Sequence, residues 1–219
     1  MTAFLIDLDG TLIDTAPDIA DALFATLDDY RLPLPEFSLV RSWIGGGATV
    51  LVQRAMKNLN KTTQQNVETE AFLSRFLSHY RQTNGSRCEP YSGVERTLHE
   101  LRGQSVALAC VTNKPEALAN EVLEHCKLHT YFLCVVGGDT CPTPKPNAEP
   151  LQHAIKALGA SEHNTWMIGD SATDVNAARA AGVSAAWVSY GYHQGETAAS
   201  LQPDRAFQHF DEVLSLLDT

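Results

Sequence analysis

No apolar run in the 219 residues approaches the roughly 20 needed to cross a bilayer. Basic residues are also scarce. Lys and Arg number 16 against 26 Asp and Glu, a formal net charge of -10. Nucleic acids and anionic membranes select basic surfaces, so neither is an expected partner. A small anion stays compatible, because it responds to the local field of a cleft. The five cysteines, at 88, 110, 126, 134 and 141, are odd in number and include no C-x-x-C pair. That argues against a disulfide framework and a zinc site. With no signal-peptide pattern at the N-terminus, the expected location is the reducing cytoplasm. None of the eight histidines falls in a metal-ligand spacing, and there is no repeat or low-complexity segment. What is present is ordinary for a globular protein, 44% hydrophobic and 19% charged. The length suits one large domain, or one domain with an insertion.

The chain is organised around residues 3–14. Ala3, Phe4, Leu5 and Ile6 form an apolar run without alternation, the pattern of a strand buried on both faces of a parallel sheet. Asp7 and Asp9 follow, and residues two apart in an extended segment share a face. Gly10 then lets the backbone turn sharply. A lone Asp at a strand end reads as a turn former. Two acids sharing one space repel unless a cation lies between them, and a hard cation such as Mg²⁺ accepts this oxygen ligation. Aspartate is also a nucleophile in phosphoryl transfer.

Beyond this stretch the pattern is helical to about residue 85. Thr15, Pro17 and Asp18 have the spacing of a capped helix start, and Ile19, Leu23, Leu27 and Tyr30 repeat at helical intervals. Pro33 and Pro35 predict a break before a short helix over 36–44. Gly45, Gly46 and Gly47 make a second break. Further helices are expected over 50–58 and 63–81, and residues 84–86 read as a linker. From there apolar strands alternate with helices: strands over 106–111, 132–136, 166–168, 183–188 and 206–207, and helices over 93–102, 115–125, 147–158, 172–181 and 211–217. This alternation predicts an α/β fold, a Rossmann-like open, mostly parallel sheet flanked by helices. Its core would comprise 1–14 and 86–219, with a small all-helical cap, 15–85, inserted after the first strand. The strands end at polar or glycine-rich tips: Asp7 and Asp9, Thr112 and Asn113, Gly138 and Asp139, Gly169 and Asp170. Ligands bind at such carboxyl ends, and the helical block should hang over them as a lid.

Asp7-Leu8-Asp9-Gly10-Thr11-Leu12-Ile13-Asp14 resembles the first signature motif of the haloacid dehalogenase-like hydrolases. Thr112-Asn113 is similar to the second, Lys145 between Pro144 and Pro146 to the third, and Gly169-Asp170-Ser171-Ala172-Thr173-Asp174 to the fourth. The resemblance covers the whole chain. Within the superfamily the phrases Asp14-Thr15-Ala16-Pro17-Asp18, Val111-Thr112-Asn113-Lys114-Pro115, Val136-Gly137-Gly138-Asp139-Thr140 and Tyr190-Gly191-Tyr192 look most like phosphoglycolate phosphatases. Asn147 departs from the Asp usual after Lys-Pro, and either residue can cap a helix.

The resemblance implies Asp7 as nucleophile and Asp9 as general acid and base. It implies Thr112, Asn113, Lys145 and Gly46 of the cap loop as phosphate- or substrate-binding groups. Mg²⁺ would be held by Asp7, the main-chain carbonyl of Asp9, and Asp170, with Asp174 as a ligand or a support. The implied activity is Mg²⁺-dependent hydrolysis of a small anionic phosphomonoester, 2-phosphoglycolate first, by a monomer or homodimer. A sugar phosphate substrate or a β-phosphoglucomutase-like phosphotransfer is the alternative. A 2-haloacid dehalogenase needs neither Asp9 nor Mg²⁺. A phosphonatase needs a Schiff-base lysine, for which Lys57 and Lys61 have no marked surroundings. A receiver-type signalling domain is disfavoured by length, by the helical insertion and by Asp9. Arg41 is a candidate for a substrate carboxylate, or a solvated residue, and Arg179 reads as structural.

Overall fold

The structure, a computed structural model, describes residues 1–59 and 67–218. Its first strand, β1 (Ala3–Ile6), leads through a tight turn into a two-residue strand, β2 (Ile13–Asp14). Four helices follow, α1 (Ala16–Asp29), α2 (Phe37–Arg41), α3 (Gly47–Leu59) and α4 (Thr69–Thr83), and then β3 (Glu89–Pro90). The rest of the chain alternates: α5 (Val94–Gly103), β4 (Ala107–Val111), α6 (Glu116–His125), β5 (Cys134–Val136), α7 (Glu149–Leu158), β6 (Thr165–Gly169), α8 (Ala172–Ala181), β7 (Ser184–Val188), α9 (Ala198–Leu201) and β8 (Arg205–Phe207). A 3₁₀ segment, Phe210–Asp218, closes it.

Six strands make one parallel sheet in the order β5-β4-β1-β6-β7-β8. β1 sits in the middle, with Ala3 opposite Ala107 and Thr165, and Ile6 opposite Cys110 and Ile168. Its apolar run divides by side: Phe4 and Ile6 enter the core beneath α5, α6 and the 3₁₀ segment, whereas Ala3 and Leu5 enter the one beneath α7 and α8. Burial on both faces is why the run has no polar alternation. From β1 the sheet is built outward through β4 and β5 on one side and then through β6, β7 and β8 on the other, so the carboxyl end of β1 opens into the crevice where such sheets bind ligands. The α/β class and parallel sheet expected from the sequence are those observed.

The helices α1 to α4 have an apolar core of their own, centred on Leu23, Leu27, Val52, Phe72 and Phe76, which also takes in Leu118 and Tyr192 from beside the sheet. No strand interrupts these helices among the described residues. The helix expected over 63–81 begins at Thr69; its predicted start, like Lys61, lies outside the described residues.

Four local expectations are corrected. The strand expected over 132–136 spans only Cys134–Val136, because His129–Tyr131 makes a 3₁₀ turn first. The last helix is 3₁₀: Phe210, Val213 and Leu216 are buried at intervals of three, the repeat of that helix. Two strands the sequence did not predict flank the helical block, β2 pairing antiparallel with β3, Ile13 with Pro90 and Asp14 with Glu89.

The fourth correction concerns the start of α1. Thr15 makes no side-chain cap there. Its hydroxyl donates instead to Asp9 Oδ1 at 2.6 Å. Asp18, 1% exposed, accepts from Gly85 N–H at 2.8 Å and Arg87 N–H at 2.7 Å. Both residues of the apparent capping pair therefore serve tertiary contacts, and Asp18 ties the incoming helix to the outgoing linker. Removing the carboxylate strands two backbone donors, each costing about 1–3 kcal/mol. Asp18→Ala is expected to lose about 2–4 kcal/mol of unfolding free energy in urea titrations, with Asp18→Asn, which keeps one acceptor oxygen, falling between it and the parent.

Candidate active site

The turn after β1 is wound on one carbonyl. Leu8 O accepts from the N–H groups of Thr11, Leu12 and Ile13 at 3.3, 3.1 and 3.1 Å, while Asp7 N–H continues the strand pairing to Ile168 O at 2.9 Å. Gly10 stands at φ 89°, and a Cβ there would overlap the Asp170 carboxylate and the Tyr192 ring. Only glycine meets both conditions. This holds Asp7 and Asp9 on the floor of one cavity, about 30 Å³, between the strand tips and the helical block. Ile19, Ile44, Leu51, Phe76 and Tyr80 form its upper wall, and Thr112, Asn113 and Lys114 one side.

Lys145 is buried beneath that floor. Its Nζ donates to Val111 O at 2.6 Å and to Asp174 Oδ1 at 2.7 Å, and pairs with Asp7 Oδ1 at 2.9 Å. The three donors of the ammonium are thereby used. The Lys145–Pro146 peptide is cis, and Asn113 Nδ2 donates to Lys145 O at 2.9 Å, so Asn113 braces the lysine's own loop. Thr112 Oγ1 accepts from Lys114 N–H at 3.2 Å, which leaves the hydroxyl proton to be donated into the cavity.

Asp174 Oδ2 accepts from Ser171 Oγ at 2.8 Å and Ser171 N–H at 3.2 Å in the capping box of α8. With Oδ1 on Lys145, both oxygens are engaged. Asp170 differs. Oδ2 accepts from Tyr192 N–H, but Oδ1 is buried with no hydrogen-bond partner among the described residues. A buried acceptor left in this state is costly.

Asp7, Asp170 and Asp174 bring carboxylate oxygens within 4.8 Å of one another. Fully ionised they carry three negative charges against the single positive charge of Lys145, 1 - 3 = -2. Burial, opposed by Lys145 and reinforced by Asp174, pushes the Asp7 carboxyl up to about 7. Burial likewise holds Asp170 well above the carboxylate range, with Asp174 and Asp7 adding repulsion. Burial alone would lower the Lys145 ammonium, but Asp174 and Asp7 outweigh it and hold it above its ordinary value. The site is short of positive charge by about the amount that one divalent cation carries, and the unpartnered Asp170 Oδ1 is a ready oxygen ligand.

Residues 4–188 match the family of haloacid dehalogenase-like hydrolases. The chain belongs to that family. It is an enzyme of the phosphatase type. It is 40% identical over 216 residues to the plasmid phosphoglycolate phosphatase of Cupriavidus necator, covering 99% of this chain and 93% of that one. It is 37% identical to phosphoglycolate phosphatase 1 of Pseudomonas aeruginosa, covering 98% and 79%. Among solved structures, a predicted phosphoglycolate phosphatase from Haemophilus somnus superposes with a TM-score of 0.94 at 31% identity, covering 99% and 98% of the two chains.

The residues expected at the site are brought together, with one difference. Gly46 points toward Val50, and its neighbours Gly45 and Gly47 line the cavity instead. A Cβ on Gly47 would come within 3.0 Å of Asn113 O, so Gly47 sets how closely helical block and sheet approach. Arg41 lies 5.1 Å over the Tyr192 ring and 3.5 Å from Tyr190 O, and does not line the cavity. Arg179 donates to Gln202 O at 2.8 Å, a structural contact.

Sequence reasoning missed Lys114. Its side chain is 1% exposed, its Nζ lies 3.4 Å from Asp9 Oδ1, and it donates to the Tyr80 hydroxyl from 4.3 Å over that ring. A signal was available, for Thr112 and Lys114 are two apart, as Asp7 and Asp9 are, and both line the cavity.

The raised Asp7 and Asp170 carboxyls have a thermodynamic consequence. Between about pH 4 and 7 the folded protein keeps protons that the unfolded chain has released, so stability falls as pH rises through that window. A divalent cation stabilises the ionised carboxylates and opposes the fall. Calorimetry in chelator is expected to give a lower Tm at pH 7 than at pH 5. Added Mg²⁺ should raise Tm by about 2–4 °C more at pH 7 than at pH 5; an equal rise at both would rule out the shared-charge account.

Proposed function

We propose that the protein is a Mg²⁺-dependent phosphomonoesterase acting through an aspartyl-phosphate on Asp7, with 2-phosphoglycolate as its substrate. The observation that carries this reading is the pairing of Asp7 and Asp9 on the floor of one cavity, with Lys145 on Asp7. The Asp9 carboxyl stands outside the Asp7, Asp170 and Asp174 cluster, held by the Thr15 hydroxyl, which leaves it for acid and base work.

An Asp7 oxygen attacks phosphorus, forming an O–P bond as the ester O–P bond breaks. Asp9 delivers its proton to the departing alkoxide, releasing the alcohol. Asp9 then takes a proton from a water that attacks the same phosphorus, and Asp7 leaves as a carboxylate with inorganic phosphate as the second product. The Thr15 hydroxyl on Asp9 Oδ1 fixes the orientation of that carboxyl. The Thr112 hydroxyl orients a phosphoryl oxygen, the charge of Lys145 offsets that of Asp7 and the phosphoryl group, and Asp174 positions Lys145. Asp7, the Asp9 carbonyl and Asp170 would hold Mg²⁺, which when bound supplies charge neutralisation for the phosphoryl group.

Residues 15–85 are assigned as a cap that excludes water. The wall of Ile19, Ile44, Leu51 and Phe76 offers few partners to the hydroxyls of a sugar, which favours 2-phosphoglycolate over a sugar phosphate. The relatives named as phosphoglycolate phosphatases support the same choice.

Phosphate release is expected from 2-phosphoglycolate in preference to hexose phosphates, and only with Mg²⁺; release that persists in chelator would remove the metal from this account. Asp7→Asn should fold as the parent does by circular dichroism and lose at least roughly 10⁴-fold in kcat. An active Asp7→Asn enzyme would sink the covalent route.

A further inference from the structure

Lys114 has no part in the mechanism above, although its ammonium is buried at the wall of the reaction cavity. It is the one cationic side chain lining that cavity among the described residues. Lys145 lies below, its three donors already taken, and Arg41 is turned onto Tyr192. Of the three donors on Lys114, one goes to the Tyr80 hydroxyl and one faces Asp9 Oδ1 at 3.4 Å. The third has no partner among the described residues. Burial pushes the Tyr80 phenol well up, with Asp9 and Asp18 adding to the effect. The phenol therefore keeps its proton, and no acceptor among the described residues takes it.

Two unspent donors thus stand beside Asp9, against an otherwise apolar wall. Given the reading of Asp9 as the acid that protonates the leaving oxygen, on which this inference rests, the first atoms of the leaving group must lie next to Asp9. A carboxylate one carbon beyond the ester oxygen then falls beside Lys114. We propose that Lys114, assisted by the Tyr80 hydroxyl, is the specificity-determining group that binds the carboxylate of the leaving group, so that the enzyme selects phosphate esters of short 2-hydroxy acids. Tyr80 sits on α4 and Lys114 just beyond β4, so the bound carboxylate would be gripped from the helical block and the sheet at once. If Lys114 served only to neutralise Asp9, its loss would weaken every ester alike.

The test compares kcat/KM for 2-phosphoglycolate and for ethyl phosphate, which has a methyl in place of the carboxylate. Wild type is expected to prefer 2-phosphoglycolate strongly. In Lys114→Met, folding checked by thermal melting, 2-phosphoglycolate should lose roughly 100-fold, at least tenfold more than ethyl phosphate loses, so the discrimination collapses. Tyr80→Phe should shift the ratio the same way by a smaller factor, and it decides the matter if Lys114→Met does not fold. Equal losses on both esters in the variants, or a wild type that uses both equally well, would overturn the assignment. A wild type that prefers a different carboxylate-bearing ester, with the preference lost in Lys114→Met, would uphold Lys114 and overturn 2-phosphoglycolate as the substrate.

Discussion

The buried ammonium of Lys145 is the interaction on which the site's arrangement depends. It ties the carbonyl end of β4 to Asp7 after β1 and to Asp174 in the first turn of α8. An ammonium in such a place is tolerable only because every donor is used, and the carboxylates around it are tolerable only because it is there. Its loop is braced in turn by Asn113. Three strand tips from distant parts of the sequence are fixed by one charge, and the negative excess they retain is what makes the pocket receptive to a cation.

The helical block is joined to the sheet by more than proximity. The paired strands β2 and β3, the Asp18 carboxylate on the outgoing backbone, and the Thr15 hydroxyl on Asp9 all lie within a few residues of the two crossings. Side chains that would ordinarily cap a helix are diverted to this junction. The wall that the block presents to the cavity is apolar apart from Tyr80, so polar recognition is concentrated on the sheet side.

Much of this was legible in the sequence, for physical reasons. A strand buried on both faces has to be apolar throughout, so β1, β4 and β7 announced themselves, and the polar residues closing each run marked the tips. Asp7, Asp9, Thr112 and Asp170 were therefore placed where the sheet ends, whereas Lys145 and Asp174, which close no strand, were singled out through the family resemblance. Two-residue strands carry no periodicity, so β2 and β3 were invisible. Thr15 and Asp18 have a capping spacing that describes local competition and says nothing of Asp9, the partner of Thr15, or of Gly85 and Arg87, the partners of Asp18. Gly46 was chosen from three adjacent glycines whose directions a sequence does not distinguish. Lys114 was overlooked because its neighbours Thr112 and Asn113 drew the attention, although the two-residue spacing applied to Asp7 and Asp9 would have found it.

The position of β1 at the centre of the sheet bears on how the molecule is made. Its two neighbours lie about a hundred and about a hundred and sixty residues further along the chain. At synthesis rates of about 5–20 residues per second, the second partner follows the first strand off the ribosome after roughly 8–32 s. For that time Ala3-Phe4-Leu5-Ile6, fully apolar and able to pair along both edges, waits without its native neighbours, while the intervening helices, whose contacts are nearer in sequence, can already assemble. Asp7 and Asp9 are thus among the first residues made, and their environment is among the last completed.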